Sequence, residues 1–258
     1  MPDSMETADA TGPEAINTQD YPGWESDPLG QALLAYQTGQ TDARILTWSD
    51  LEGYDYLPAQ VLMREEKAMP LLEQHALGHC GRKVLELGAG AGSHALALQA
   101  RGCAVLALDH SPGAVRVMEK RGVREVLLAD LWHFEGRDFD TVLALMNGSG
   151  LAGDLPGFSR LLSKVISWLS PGGSFLLDSA NLLPLFTDVP GGQYLDLTRN
   201  YYGETVYRMK FGKARSQAFG WLFLDFDTMA GLAEKAGFSA TCLYRGSEDE
   251  FLAQLTLL

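Results

Sequence analysis

From Lys83 onward the chain keeps one rhythm, and that rhythm limits its fold more than any other feature. Five short apolar runs alternate with segments of helical character: KVLELG (83–88), AVLALD (104–109), EVLLAD (125–130), FDTVLALM (139–146) and GSFLLDS (173–179). Each run is almost continuously apolar, as a strand buried on both faces must be. The intervening SHALALQARG, PGAVRVMEKRG and PGFSRLLSKVISWLS carry helical spacing, and the first two stop at a glycine suited to the left-handed position after a helix. Strand, helix and short link return the chain to the same sheet as a right-handed crossover, so the region reads as a doubly wound parallel sheet. After residue 200 the rhythm breaks. GETVYRMKF (203–211) and SQAFGWLFLDF (216–226) read as a β-hairpin joined at GKAR. DTMAGLAEKAG reads as a helix, and FSATCLYRG with EFLAQLTLL as a closing antiparallel pair.

Two stretches of different character precede this body. Residues 1–26, rich in Pro, Gly, Asp, Thr and Ala, show little periodicity and read as an acidic, flexible leader. Residues 27–81 read as an N-terminal cap. It has a short helix around Leu29 to Tyr36, an irregular connection with buried aromatics over 44–58, and a helical segment from 59 kinked or restarted at Pro70. The body proper is 82–258, with a lid or hairpin insertion at about 182–226. The net charge of −13 is uneven, because residues 1–43 hold eight acidic residues and no Lys or Arg. The longest basic cluster is KRGVR (120–124), too little for a nucleic-acid or anionic-membrane surface. No apolar run reaches the ~18 residues of a membrane span, and MPDSMETADA lacks the basic start and apolar core of a signal peptide. Three widely spaced cysteines, Cys80, Cys103 and Cys242, suit reduced thiols in a cytoplasm.

VLELGAGAG (84–92) sits where the first run meets its helix. A glycine loop there lets the backbone approach a ligand and presents helix N-terminal amides to it. Two frames compete. The dinucleotide pattern G-x-G-x-x-G fails from Gly88, where Ser93 takes the third place. From Gly90 it runs through Gly92 to Ala95, late relative to the strand. The frame acid-x-G-x-G-x-G is met by Glu86, Gly88, Gly90 and Gly92. It puts a carboxylate inside the strand end, which is costly unless a donor or cation meets it. The ammonium group of an amino-acid ligand would provide one.

Asp109 ends the second run, Asp130 ends the third, and SPGG (Ser170 to Gly173) precedes the fifth. With that set the chain resembles the class I S-adenosylmethionine-dependent methyltransferases over about residues 60–258. LMNGSG (145–150) and the 200–226 hairpin are similar to a bacterial group in that family that brings no acceptor with it. The resemblance implies an α/β fold, a doubly wound, seven-stranded, mostly parallel Rossmann-like sheet with an antiparallel C-terminal pair and an added β-hairpin. It implies S-adenosyl-L-methionine as cofactor. Glu86 would serve its methionine end, and Gly88, Ala89, Gly90 and Gly92 would lie under methionine and ribose. For Gly92, close helix–strand packing is an equal alternative. Asp109 would accept from both ribose hydroxyls, Asp130 and Leu131 would meet adenine, and Trp132 would pack on that pocket or in the core. His110 would stack near adenine or stand in solvent. Asn147 would offer a polar contact from the loop after the fourth run.

No catalytic residue stands out. His133, Tyr201, Tyr202 and Asp178 lie near the expected substrate face but form no recognisable dyad. His75, His79 and Cys80, with Glu73 nearby, have part of a zinc spacing but no second ligand cluster, so no metal is expected. The loop at Asn147 lacks the Pro-Pro of amino-methylating nucleic-acid enzymes, and no Pro-Cys pair supplies a covalent nucleophile. The expected acceptor is a small molecule. The aromatic region 182–226, with Tyr194, Tyr201, Tyr202, Phe219 and Trp221, would suit such a substrate or a homodimer interface equally. A non-catalytic methyltransferase-like binding protein is the alternative, and an NAD-dependent oxidoreductase a more distant one.

Overall fold

A computed structural model describes residues 23–186 and 200–258. Residues 1–22 of the expected leader, and the lid segment holding Tyr194, lie outside the described residues. In chain order, α1 is Pro28–Gln37, β1 Arg44–Ser49, β2 Gly53–Pro58, α2 Ala59–Leu62 and α3 Leu71–His79. The body follows with β3 Lys83–Leu87, α4 Ser93–Ala100, β4 Ala104–Asp109, α5 Pro112–Arg121 and β5 Glu125–Leu128. Next come β6 Phe139–Ala144, α6 Leu155–Trp168, β7 Leu169–Ala180, β8 Glu204–Phe211, β9 Ala214–Arg215 and β10 Phe219–Leu222. The chain closes with α7 Phe226–Ala236, β11 Phe238–Arg245 and β12 Glu250–Leu257.

The large sheet has seven strands in the order β11-β12-β7-β6-β3-β4-β5. β3, β4, β5, β6 and β7 pair in parallel, and β12 is antiparallel to both β7 and β11. Alternate residues of a strand point to opposite faces, and here both faces are covered. Leu85, Val142, Phe175 and Leu177 join Phe158, Leu161, Val165 and Trp168 of α6 in one core. Val84, Leu143 and Leu176 join Leu98 of α4 in the other. That double burial is why β3, β4 and β6 are uninterrupted apolar runs; the expectation of two covered faces fails for β5, an edge strand with no buried residue. Helix starts follow local chemistry: Ser111 accepts the Ala114 amide, Asp154 that of Gly157 and Asp225 that of Thr228. α5 and α7 end on left-handed Gly122 and Gly237. Pro70 marks a restart, with Leu71 opening α3. No described helix is long and apolar enough to cross a membrane.

The expectation of an irregular connection over 44–58 is corrected. β1 and β2 form an antiparallel hairpin, Arg44 opposite Pro58 and Ser49 opposite Gly53. β1 also pairs with β8, giving a second sheet in the order β10-β8-β1-β2 with β9 on β8. Its aromatics are not buried as a group: Tyr54 and Tyr56 are 77% and 50% exposed. With β2 mostly exposed, no apolar alternation announces the hairpin, and β8 stabilises it from a distant part of the chain. The expected 216–226 strand is also shorter: only Phe219–Leu222 of it is strand, as β10, and the two-residue β9 precedes it at Ala214–Arg215.

α1 docks on the start of α5 where two glycines meet. A Cβ on Gly113 would lie 2.5 Å from the Gly30 Cα, backbone against backbone. The buried Asp27 carboxylate accepts from the Gly30 and Gly113 amides and the Ser111 hydroxyl. Gly113→Ala should therefore lower the melting temperature by about 2–10 °C, the effect of about 1–3 kcal/mol of overpacking at this chain length. Scanning calorimetry that finds no change would contradict the contact.

Candidate functional site

The strand order reverses between β3 and β6, so the loops leaving their C-terminal ends diverge around a crevice. The loop after β3 has Gly88, Gly90 and Gly92 all left-handed, at φ of 64°, 55° and 74°. Residues with a side chain avoid that region. The Ala89 amide donates to the Leu108 carbonyl at 3.1 Å, tying the loop to β4. The Gly90 amide donates to Asp109 Oδ2 at 2.7 Å, and the Ser111 amide to Oδ1 at 2.8 Å. Asp109 is buried, and burial raises its carboxyl above the usual carboxylate range. Nearby His110 and the two amides work against that rise, while Asp27 adds to it. Each carboxylate oxygen accepts more than one donor, so both retain capacity.

The glycines differ in what surrounds them. A Cβ on Gly92 would press on Val123 Cγ2 at 2.7 Å and Met118 Cγ at 2.9 Å, so this glycine is required for packing. A Cβ on Gly90 would meet nothing nearer than the Gly88 carbonyl oxygen at 4.0 Å. Arg121 of α5 braces the loop, donating to the Ala91 carbonyl and the Ser93 hydroxyl, and also to the Met63 carbonyl.

Glu86 is buried in β3, and its partner is one sequence reasoning missed. Its Oε1 lies 3.1 Å from Nδ1 of His94, at the start of α4. His94 Nε2 lies 3.0 Å from Oε2 of Glu73 on α3, whose Oε1 accepts from Arg64. Glu86 Oε2 is buried with no partner among the described residues. The signal was present: a carboxylate sealed in a strand requires a donor, and His94 is a short step along the sequence. Glu73 is thereby engaged away from His75, His79 and Cys80. The His79 ring instead meets the His75 carbonyl at 2.8 Å. Among the described residues no group of three His, Cys, Asp or Glu side chains could hold a metal.

The remaining expected residues separate. His110 is exposed, its Nδ1 3.8 Å from Asp109 Oδ1. Asp130 follows β5 at the surface, with Oδ1 accepting the Trp132 amide at 2.9 Å and Oδ2 3.3 Å from His133 Nδ1. Leu131 is buried, and Trp132 lies under the Arg160 guanidinium. Asn147 is committed to the protein. Its Nδ2 donates to the Leu222 carbonyl, and its Oδ1 accepts from the Ser149 and Ser179 hydroxyls. Met146 and Asn147 are both left-handed, at 66° and 62°. Non-glycine residues so held cluster at functional sites. Asp178 of β7 secures the turn by accepting the Asn147 and Gly148 amides at 2.9 and 2.8 Å. Burial pushes the Asp178 carboxyl up to about 6 despite those amides. Tyr201 and Tyr202 pack as a tilted pair with centroids 4.3 Å apart, both hydroxyls donating to Asp225 Oδ2, near Phe186. Trp221 packs on Gly150. A cavity of about 490 Å³ lined by Phe134, Asp138, Lys164 and Trp168 lies by the starts of β6 and β7, at the opposite sheet edge.

The family model described as a methyltransferase domain matches residues 84–173, from β3 into β7. No curated protein matches the chain. Among solved structures, the chain is similar to the SAM-dependent methyltransferase from Bacteroides fragilis in complex with S-adenosyl-L-homocysteine. Identity is 38% and the TM-score 0.84, over 92% of this chain and 98% of that one. The CcbJ methyltransferase from Streptomyces caelestis has 13% identity and a TM-score of 0.58, over 76% of this chain and 93% of its own. The PH0226 protein from Pyrococcus horikoshii OT3 has 20% identity and a TM-score of 0.55, over 72% and 88%. At that identity these two share the fold alone.

Proposed function

The chain belongs to the class I S-adenosylmethionine-dependent methyltransferases, and from that premise we propose that it binds S-adenosyl-L-methionine beside Asp109 and methylates a small-molecule acceptor. The observation that carries the reading is Asp109 itself. It is a buried carboxylate at the end of β4, bonded to the glycine loop and with acceptor capacity left over. A cofactor fits the residues present. Glu86 Oε2 lacks a partner among the described residues, and the space beyond Gly90 is open.

In this reading Asp109 accepts from the ribose hydroxyls, Glu86 serves the ammonium end, and Gly88, Ala89 and Gly90 shape the floor. Asp130 and Leu131 border the adenine, with His110 at the solvent side. Gly92 and Asn147 act through the loops they shape. When bound, the cofactor supplies a methyl group already activated by the sulfonium charge. The protein's part is then alignment and exclusion of water. Asp178 holds the turn at Asn147, and a general base is required only for an acceptor that carries a proton. The aromatic pair Tyr201 and Tyr202, beside Phe186, supports a small organic acceptor, since such walls suit one.

S-adenosylhomocysteine should raise the melting temperature. At a hundredfold excess over Kd the stabilisation is about 2.7 kcal/mol, or about 5–10 °C for a chain of this size. No shift at millimolar ligand would overturn the cofactor reading. A screen of metabolites for uptake of labelled methyl would test the acceptor class.

A further inference from the structure

The cluster behind Glu86 joins four parts of the chain: β3, the start of α4, α3, and Arg64 from the segment after α2. We propose that His94 is a positioning residue for the amino-acid end of the cofactor, holding Glu86 by one carboxylate oxygen and leaving the other for the ammonium group. The inference rests on the S-adenosylmethionine reading above and extends it to a residue outside the glycine motif.

Each ring nitrogen of His94 faces a carboxylate, Nδ1 at 3.1 Å from Glu86 and Nε2 at 3.0 Å from Glu73. A neutral imidazole donates from one nitrogen only and would set a lone pair against the other carboxylate, whereas the imidazolium donates to both. Burial opposes that charge. The hydrogen bonds and charges of Glu73 and Glu86 outweigh it and hold the ring at about 9. The buried row is then Arg64 positive, Glu73 negative, His94 positive and Glu86 negative, and it ends on an oxygen with no partner among the described residues. A buried carboxylate oxygen without a donor is costly. An ammonium group there, or a water bonded to it, continues the alternation. Two more groups feel this row: the Glu73 charge adds to the burial that raises Asp178, and the Cys80 thiol, raised to about 12 by burial, Cys103 and Glu86, stays neutral.

The test compares two ligands. S-adenosylhomocysteine carries the amino-acid end, and 5′-methylthioadenosine keeps the nucleoside and thioether without it. By calorimetry, His94→Gln should weaken S-adenosylhomocysteine about tenfold, the loss of roughly one charge-assisted contact, and leave 5′-methylthioadenosine unchanged. In Glu73→Gln the single amide oxygen can accept from His94 or from Arg64 but not from both, and the charge is lost, so S-adenosylhomocysteine should again weaken while 5′-methylthioadenosine does not. This second variant also serves if the first does not fold. Nitrogen-15 spectra at pH 7.5 should show the His94 ring protonated on both nitrogens. Parallel loss of both ligands, no loss of either, or a neutral ring would overturn the proposal. Wild-type protein that binds 5′-methylthioadenosine and S-adenosylhomocysteine equally would overturn it too. Wild-type protein that binds neither would remove the cofactor reading on which it rests.

Discussion

Asp109→Ala is expected to cut affinity for S-adenosylhomocysteine about 100-fold while the protein still folds. The carboxylate is the proposed acceptor for two ribose hydroxyls, and a hydrogen bond to a charged group contributes about 1.5–3 kcal/mol. The variant also removes the acceptor of the Gly90 and Ser111 amides, so the floor of the site loses one of its ties to β4. Folding should survive, because the same change deletes a carboxylate whose charge is opposed by burial. The β4 ladder and the bond from Ala89 to Leu108 do not involve the side chain. Asp109→Asn should fall between. Its single oxygen can serve one of the two amides, while its NH₂ faces the other donor. Titration calorimetry with a thermal melt checks both properties. An alanine variant that binds within threefold of wild type would take Asp109 out of the site.

What was legible in the sequence depended on where each residue's energy comes from. β3, β4 and β6 announced themselves because burial on both faces forces near-continuous apolar runs. The β1–β2 hairpin did not, since Tyr54, Asp55 and Tyr56 face solvent and its pairing partner β8 is far along the chain. Among the candidate site residues, Glu86 stands out because a carboxylate inside an apolar run is costly unless a donor meets it, whereas Asp109 is singled out by the resemblance to the family. His94, Glu73 and Arg64 do not stand out, because each looks like an ordinary polar residue until three elements fold against β3. The hold on the Asn147 side chain is also not legible, because it comes from Leu222, Ser149 and Ser179, two of them on strands the local pattern does not bring near. For Gly92 the packing alternative rests on contacts visible only in three dimensions, against Val123 and Met118.

That distinction between glycines gives the largest expected effect. Gly90→Val should abolish detectable binding of S-adenosylhomocysteine, a loss of more than about 100-fold, and leave the fold intact. Two terms act, with different targets. The φ of 55° is unfavourable for a residue with a side chain, by about 1–2 kcal/mol and more for a branched one. Against a folding free energy of about 5–15 kcal/mol that is tolerable. The space next to a Cβ at Gly90 is otherwise open, so no protein atom has to move for it. In the proposed complex the cofactor fills that space, and the valine methyl groups would occupy its place. Gly92→Ala should behave in the opposite way. Its Cβ runs into Val123 and Met118 below 3.0 Å, so it should lower the melting temperature clearly and weaken the ligand only secondarily. Melting curves and calorimetry on both variants separate the terms. If Gly90→Val binds like wild type, the glycine loop does not lie under the cofactor. If Gly92→Ala loses binding with no loss of stability, the packing assigned to Gly92 is wrong and the loop meets the ligand along its whole length.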